Sequence, residues 1–356
     1  MWVVGMSGGV DSSVTALLMQ RQGHDVRGVY MHNWETDDPG CRAAEDRRDA
    51  VAVCGKLGIP FQVMNFAQTY REQVFEEFLS DYAKGVTPNP DILCNREVKF
   101  KAFLQAALEG GAEGLATGHY ARKARLGTSW ALLRGRDPGK DQSYFLHAIT
   151  QAALAVSEFP VGELPKADVR RLAEEAGLVT ARKKDSTGIC FIGEQDFKTF
   201  LARYLPAQAG TIETLDGQVI GQHGGALYYT VGQRAPLGGV KGFPSEAWFV
   251  LAKDVARNVL VVGQGANHPA LMAGGLTTDV ATWIAGAPPS GTFDAEVQLR
   301  HLGSAEPARV CVTQDGTLDV RFVNPVRAVA PGQAAVIYQG EVCLGGAPIA
   351  QAFNQN

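Results

Sequence analysis

The sequence predicts an α/β N-terminal domain built on a parallel sheet, followed by mostly β central and C-terminal domains. Up to about residue 204, short apolar runs alternate with amphipathic helical segments, which is typical of a parallel sheet with helices on both faces. Beyond that point the helical periodicity fades, and short β-rich runs lie between turns made of Gly, Pro and Asp. The length of 356 residues fits two or three domains.

Strands and helices alternate in the N-terminal half. Short apolar runs predict strands at residues 2–6, 26–31, 61–66 and 115–117. Helical patterns cover residues 13–22, 43–57, 70–82 and 100–108. Between residues 70 and 82 the apolar side chains recur at i, i+4, i+5, i+8, i+9 and i+12, which places them on one helix face.

The second half divides into two predicted β domains. Predicted strands cover residues 226–231, 248–251, 259–262, 293–299, 310–312, 318–322 and 335–338. The dipeptides Asp216-Gly217 and Asp315-Gly316 predict hairpin turns. A break near Gly274-Gly275 then gives three domains: residues 1–204, a small β-rich unit at 205–274, and a barrel-like unit at 275–356.

Composition restricts the chemistry and the compartment. None of the six cysteines stands at C-x-x-C spacing, so neither zinc nor an iron–sulfur cluster is expected. We find no secretion signal and no apolar run of membrane-spanning length, so we expect a cytoplasmic protein without a membrane partner. The net charge of −4 counts mildly against nucleic-acid binding, but basic clusters occur at residues 122–125, 134–140 and 182–184.

A glycine-rich loop follows the first predicted strand. Residues 7–12 read SGGVDS and lead into a helix, where backbone N–H groups and the helix N-terminus favour an anion. We expect Ser7, Ser12 and Ser13 to donate hydroxyl hydrogen bonds and Asp11 to meet phosphate through Mg²⁺. The lysine of the common γ-phosphate loop is missing. The segment resembles the loop with which ATP pyrophosphatases bind pyrophosphate and transfer AMP.

Cys94 is the stronger of two candidate reactive cysteines. It lies in residues 87–95, TPNPDILCN, where two prolines stiffen the chain and Asp91 is predicted to cap a helix. Asp91 and Cys94 then share a face, and a thiol near a helix N-terminus has a lowered pKa. This arrangement suits a nucleophile with Asp91 as an acid or base, although a lone cysteine is commonly a buried packing residue.

Cys190 is a weaker candidate on its chemistry alone. Apolar neighbours favour a buried thiol, whereas the flanking Gly188 and Gly193 favour a movable loop. Upstream lysines would favour a thiolate or persulfide. We interpret Cys54, Cys311 and Cys343 as packing residues.

Motifs along nearly the whole chain resemble those of the tRNA-specific 2-thiouridylases. They lie, in the family's order, at residues 5–13, 31–34, 87–95, 116–120, 140–146, 185–193, 229–234 and 331–333. One departure occurs at Arg300-His301-Leu302, where members often have Arg-Tyr-Arg. The resemblance implies an ATP pyrophosphatase-like catalytic domain and a C-terminal domain that binds tRNA.

The resemblance also implies residue roles. Cys94 is the implied nucleophile, Cys190 the implied persulfide carrier, and Asp91 belongs to the segment that faces the target base. The implied ATP contacts are Gly5, Met6, Ser7, Gly8, Gly9, Val10, Asp11, Ser12, Met31 and Gly118. The implied base and tRNA contacts are Asn89, Pro90, Asp91, His119, Lys140, Asp141, Gln142, Arg300, His301 and Gln333.

The implied reaction is 2-thiolation of the wobble uridine of tRNA. ATP adenylates the 2-carbonyl oxygen, and sulfur on Cys190 then attacks the activated carbon. Cys94 either opens the persulfide or closes a disulfide behind it. The implied partners are tRNA and a sulfur donor, either a cysteine desulfurase or a relay protein.

Two other classes of function share parts of this pattern. An amide- or guanidine-forming ligase would use the same loop but would need no thiols, so it should tolerate Cys94→Ser and Cys190→Ser. A nucleotide-binding regulator would bind ATP without releasing pyrophosphate.

Overall fold

The computed structural model describes residues 1–34, 42–185 and 197–354. Its N-terminal sheet is parallel throughout and confirms the predicted fold class. In spatial order the described strands are Phe61–Asn65, Val26–His32, Trp2–Met6, Gly114–Ala116 and Ser157–Glu158. The order of the strands reverses at Trp2–Met6 and Gly114–Ala116, which is the point where ligands bind in open α/β sheets.

Helices cover this sheet on both sides. The α-helices are Val10–Arg21, Ala43–Leu57, Ala67–Tyr70, Glu76–Ala83, Pro90–Leu93, Leu104–Glu109, Ser143–Leu146, Gln151–Ala155, Lys166–Glu175 and Phe197–Ala202. Arg71–Phe75 and Cys94–Phe103 are π-helical and join their neighbours into longer helices, and Pro160–Glu163 is a 3₁₀ turn. The predicted helix at 100–108 is therefore the end of one that begins at Pro90.

The central region forms a small sheet of its own. Its described strands, in spatial order, are Trp248–Asp254, Val259–Gln264, Gly210–Glu213 and Val219–His223. Ile212, Trp248 and Leu260 fill its core. The predicted strand at 226–231 is wrong, because Ala226–Tyr228 forms a 3₁₀ turn. A second 3₁₀ turn, Pro269–Leu271, leads into the C-terminal region.

The C-terminal strands close into a barrel, as the fold-class prediction requires. The ring runs through Met272–Thr278, Leu318–Arg327, Ala305–Val312, Thr292–Gln298, Ala334–Gln339 and Val342–Phe353, and the last strand pairs with the first. The short strand Thr282–Trp283 pairs with Val342–Phe353. A closed ring leaves no long unpaired strand edge.

A hairpin from the N-terminal region extends the barrel sheet. Ala121–Leu126 and Ser129–Arg134 pair with each other, and Leu132 and Leu133 pair with the last barrel strand. Gln333 donates a hydrogen bond from Nε2 to the Thr87 carbonyl oxygen at 2.8 Å. These contacts join the barrel to the segment that precedes Cys94.

The cysteines confirm two packing predictions and contradict a third. Cys54 and Cys343 are buried, and burial raises the pKa of Cys54 to about 11 and that of Cys343 to about 12. Cys311 is exposed, so its interpretation as a packing residue is wrong. Alternation along the strand Ala305–Val312 turns its side chain outward. No helix among the described ranges is long and apolar enough to cross a membrane.

Candidate functional site

The glycine-rich loop connects the first strand to helix Val10–Arg21 at the switch point of the sheet. The Ser7 backbone N–H donates to Ser12 Oγ at 3.1 Å, and Ser12 Oγ donates to the Gly9 carbonyl at 3.1 Å. Ser13 Oγ donates to the same carbonyl at 2.8 Å and accepts from Thr180 Oγ1. The prediction that the Ser13 hydroxyl serves a ligand is wrong, because this side chain is fully buried.

Close packing requires glycine at two positions of this site. Gly8 has φ +76°, and a Cβ there would stand 2.2 Å from the Asp46 carbonyl oxygen. A Cβ at Gly118 would stand 2.7 Å from the Ser12 nitrogen and 2.8 Å from the Asp11 carbonyl carbon. Gly118 therefore lies directly against the backbone of the loop, as expected of a residue that shapes a phosphate site.

This packing gives a testable expectation. Gly118→Ala should weaken ATP binding at least tenfold, because the new methyl group must displace the loop backbone. Gly55→Ala is the matched control, since a Cβ there meets nothing within 4 Å and its helix should gain roughly 0.5–1 kcal/mol. Equilibrium binding and melting temperature measure the two effects. Unchanged ATP affinity in a folded Gly118→Ala protein would refute the role of this contact.

Asp11 is held by two partners that the sequence analysis missed. Lys166 Nζ donates to Asp11 Oδ1 at 2.7 Å and to Oδ2 at 2.8 Å, and the Tyr120 hydroxyl donates to Oδ1 at 2.7 Å. Burial, together with the neighbouring Asp11, raises the pKa of Tyr120 far above its usual value, so the hydroxyl keeps its proton. Lys166 thus places a cation beside a loop that has no lysine of its own. A Mg²⁺ ion at Asp11 would have to displace this ammonium.

Asp185 extends the same ionic network. Its Oδ1 accepts from Lys166 at 2.9 Å and from Arg170 at 2.8 Å, and its Oδ2 accepts from Lys140 at 2.6 Å. Burial opposes ionisation, but the hydrogen bonds from Lys140 and Lys166 outweigh it and lower the pKa of Asp185 to about 2. Lys140, an expected tRNA contact, is therefore connected to the glycine-rich loop of residues 7–12, which we call the phosphate loop.

Cys94 lies in the helix that begins at Pro90 and is 1% exposed. The prediction that Asp91 caps this helix is wrong. Asn89 is the N-cap, and its Oδ1 accepts from the Asp91 backbone N–H at 3.2 Å. Pro90 takes the first helical position because proline has no N–H to satisfy there. Cys94 comes one turn later, where the helix dipole acts less strongly than at the cap.

Burial and two basic side chains set the proton affinity of the Asp91 carboxyl. Burial raises its pKa, while Lys99 and His301 partly counteract the shift. A raised pKa allows this carboxyl to hold and release a proton nearer neutrality than an exposed aspartate. Lys99 is another residue that the sequence analysis missed. The π-helical segment bonds i→i+5, so Cys94 and Lys99 lie roughly above one another.

His119 lies between the phosphate loop and the Cys94 helix. Its neighbour Gly118 packs on the loop, and its ring contacts Phe100 of the helix with centroids 5.7 Å apart. His119 Nδ1 is 2.8 Å from Thr117 Oγ1. Burial, assisted by Lys99, lowers its pKa well below the usual value, so the imidazole is neutral at physiological pH. A neutral ring offers a hydrogen bond to a ligand but no charge.

Asp141 and Gln142 have internal partners. The Asp141 carboxylate accepts from the Gly135 and Ser143 backbone N–H groups, from the Ser143 hydroxyl and from Arg134. Gln142 Oε1 accepts from the Tyr120 backbone N–H at 3.0 Å. These bonds fix the loop that carries Lys140, so their expected contribution to tRNA contact is one of positioning.

The expected RNA contacts of the barrel lie beside the loop that carries Lys140 and Asp141. Arg300 is exposed, and the His301 ring packs on Phe145 with centroids 4.4 Å apart. His301 Nε2 is 2.9 Å from the Asp141 carbonyl oxygen. Leu302, which replaces a basic residue often found in the family, has φ +56° and is exposed. These contacts bring His301 close to Asp91 although 210 positions separate them in the sequence.

The remaining expected ATP contacts have varied surroundings. Met6 and Val10 are buried in the core, so they would meet a nucleotide only through their backbone. Gly5 faces Phe103 of the Cys94 helix, and a Cβ there would stand 3.3 Å from the ring. Met31 is the penultimate residue of its strand and pairs with Met64 of the neighbouring strand. Cys190 lies outside the described residues.

Family comparisons cover the chain in three consecutive segments. Residues 1–194 match the tRNA methyl transferase HUP domain, 198–264 the tRNA methyl transferase PRC-barrel domain, and 273–349 the aminomethyltransferase beta-barrel domain. The tRNA-specific 2-thiouridylase MnmA of Xanthomonas campestris is 56% identical over 98% of this chain and 93% of its own. That of Stenotrophomonas maltophilia is also 56% identical, with the same coverage of both chains.

Solved structures resemble the chain only weakly. A 4-thiouridine synthetase in complex with RNA and ATP aligns with TM-score 0.33 and 17% identity, over 57% of this chain and 50% of that one. Likeness of this size carries no argument about function.

The parallel sheet, the glycine loop at its switch point and the appended barrel define a multidomain enzyme of the nucleotide-binding α/β class. Identity over nearly the full length specifies the group within that class. The chain belongs to the tRNA-specific 2-thiouridylase family.

Proposed function

We propose that this protein uses ATP to activate the wobble uridine of tRNA and replaces its 2-oxygen with sulfur. The observation that carries the proposal is the position of Gly118 and His119. One packs on the phosphate loop and the other on the Cys94 helix, so the nucleotide site and the thiol site adjoin. The family relatives, named for 2-thiolation of tRNA, support the same reaction.

Activation begins with transfer of AMP to the base. The uridine 2-oxygen attacks the α-phosphorus of ATP, and pyrophosphate leaves with the electron pair of the broken P–O bond. We assign stabilisation of this negative charge to the loop N–H groups and to the Lys166 ammonium, which binds Asp11 of the same segment. The base must leave the anticodon stack to reach the pocket.

Sulfur transfer uses both cysteines. The terminal sulfur of a Cys190 persulfide attacks C2 of the base, and AMP departs with the original oxygen. Cys94 thiolate then attacks Cys190 Sγ, which forms a Cys94–Cys190 disulfide and leaves the electron pair on the new thiocarbonyl. A cellular thiol reductant must reopen this disulfide, and a cysteine desulfurase or relay protein must reload Cys190. Asp91 is the proposed proton carrier.

Mg²⁺ is expected to arrive with the ATP phosphates as their counter-ion. Among the residues that the structure describes, no group of three or more His, Cys, Asp and Glu side chains could hold a metal ion. Asp11, the expected contact, is bound by Lys166 and Tyr120. The described side chains therefore do not form a resident site for the ion.

Nucleoside mass spectrometry tests the proposal directly. Incubation with tRNA, ATP and a persulfide source should yield a uridine heavier by the mass difference between sulfur and oxygen. A ligase would leave uridine unchanged. A methyltransferase, the activity for which two of the matching domain families are named, would add a methyl group without consuming ATP. Unmodified uridine in the presence of ATP and persulfide would overturn the proposal.

Salt dependence tests the tRNA surface. Because basic contacts to phosphate release counter-ions, tRNA affinity should fall steeply with salt despite the net charge of −4. Arg300→Gln should reduce the slope of log K against log salt by about one. Arg309→Gln, on an exposed barrel position paired with Asp294, is the control that should leave it unchanged. A flat response would exclude the basic clusters as the RNA surface.

A further inference from the structure

Asp185 connects two cations that the proposed function assigns to different ligands. Lys140, an expected tRNA contact, donates to Oδ2 at 2.6 Å. Lys166, which also binds both carboxylate oxygens of Asp11 in the phosphate loop, lies 2.9 Å from Oδ1. The structure thus contains an unbroken ionic chain from Lys140 through Asp185 and Lys166 to Asp11.

These ionic contacts predict the direction in which binding at one end affects binding at the other. An anion bound at either end draws one ammonium away from Asp185, and the carboxylate then holds the remaining ammonium more tightly. Withdrawing the second cation therefore costs more than withdrawing the first. Lys166 is only 12% exposed and Asp185 31%, so solvent does not fully screen these charges.

We propose that Asp185 is a positioning residue that couples the tRNA site to the pyrophosphate site with negative cooperativity. The inference rests on the proposed function and deepens it. An RNA phosphate on Lys140 tightens Asp185 on Lys166, so that ammonium binds pyrophosphate less tightly. Bound tRNA then promotes departure of the leaving group after adenylation. Because coupling free energies are reciprocal, pyrophosphate weakens tRNA binding by the same factor.

Arg170 provides a second way to change the coupling. It donates to Asp185 Oδ1 at 2.8 Å. Its guanidinium therefore still neutralises part of the Asp185 carboxylate charge after another cation has left. Removing its guanidinium should strengthen the negative coupling, whereas removing the Asp185 charge should abolish it. The two variants therefore change the coupling between the tRNA site and the pyrophosphate site in opposite directions.

The test measures the dissociation constant of Mg²⁺-pyrophosphate with and without an unmodified tRNA transcript. We expect tRNA to weaken pyrophosphate binding at least fivefold in the wild-type protein, and Asp185→Asn to bring this ratio close to one. Arg170→Gln should increase the ratio. The control is Asp49→Asn, which removes the same charge from a neighbouring carboxylate that pairs with Lys183 outside this chain of contacts.

The outcomes separate the inference from the proposed function. The coupling role of Asp185 is overturned if Asp185→Asn keeps the wild-type ratio of pyrophosphate dissociation constants with and without tRNA. It is also overturned if this ratio falls in Arg170→Gln. A wild-type protein that binds neither pyrophosphate nor tRNA instead contradicts the proposed function. If Asp185→Asn does not fold, the direction of change in Arg170→Gln decides the question.

Discussion

Replacing Asp11 by alanine is expected to abolish release of pyrophosphate from ATP. The carboxylate holds the Lys166 ammonium with both oxygens and accepts the Tyr120 hydroxyl, so its loss frees the cation that we propose to face the phosphates. Losses from removing one preorganised contact of this kind are roughly 10²–10³-fold. Chromatography of the nucleotide products, with tRNA present, measures the rate of AMP formation.

Two further variants make this experiment specific. Lys166→Gln should show the same defect, and the double variant should be hardly worse than either single one, because the two side chains act as a unit. Asp25→Ala is the control, since that exposed residue precedes the amino end of the strand Val26–His32, whereas the glycine-rich loop follows the carboxyl end of the parallel neighbour Trp2–Met6. If the wild-type protein instead forms ADP and inorganic phosphate, ATP is cleaved between its β- and γ-phosphates. That outcome would contradict transfer of AMP to the base.

The loop and the parallel sheet could be predicted because their signals are local. Apolar runs, helix periodicity and a Gly-Gly pair between a strand and a helix are read within a few residues. Lys166 carries no such signal, and the motif at residues 185–193 gives no indication of the partners of Asp185. Lys166 lies 155 positions from Asp11 in the sequence and meets it only because helix Lys166–Glu175 packs against helix Val10–Arg21.

Errors elsewhere arose from competing local choices and from long-range pairing. Asn89 and Asp91 are both good caps, and Pro90 decides between them because it fits the first helical position. Cys311 lies in an apolar run, but its side chain points outward because of how its strand pairs in the barrel, where Cys311 is opposite Asp319. The hairpin at 121–134 joins a sheet whose other strands begin about 140 residues later, which no local pattern indicates.

The cysteines should divide the sulfur chemistry between them. Cys190 is the proposed carrier, so Cys190→Ser should bind ATP and tRNA normally yet form no protein persulfide. Cys94 is held in a helix and almost fully buried, which suits a nucleophile in a fixed position. Cys94→Ser should still load sulfur on Cys190 but fail to thiolate tRNA, with a loss of roughly 10³-fold or more.

Persulfide labelling followed by intact mass measurement distinguishes the two variants. Cys311→Ser is the control, because that exposed cysteine could take up sulfur without any role in transfer. Omitting the reductant after one turnover should trap a Cys94–Cys190 disulfide, which requires Cα atoms less than about 7 Å apart in that state. A Cys190→Ser protein that loads sulfur on Cys94 and thiolates tRNA would reverse the assignment of carrier and nucleophile. Normal thiolation by both serine variants would instead remove the cysteines from the reaction altogether.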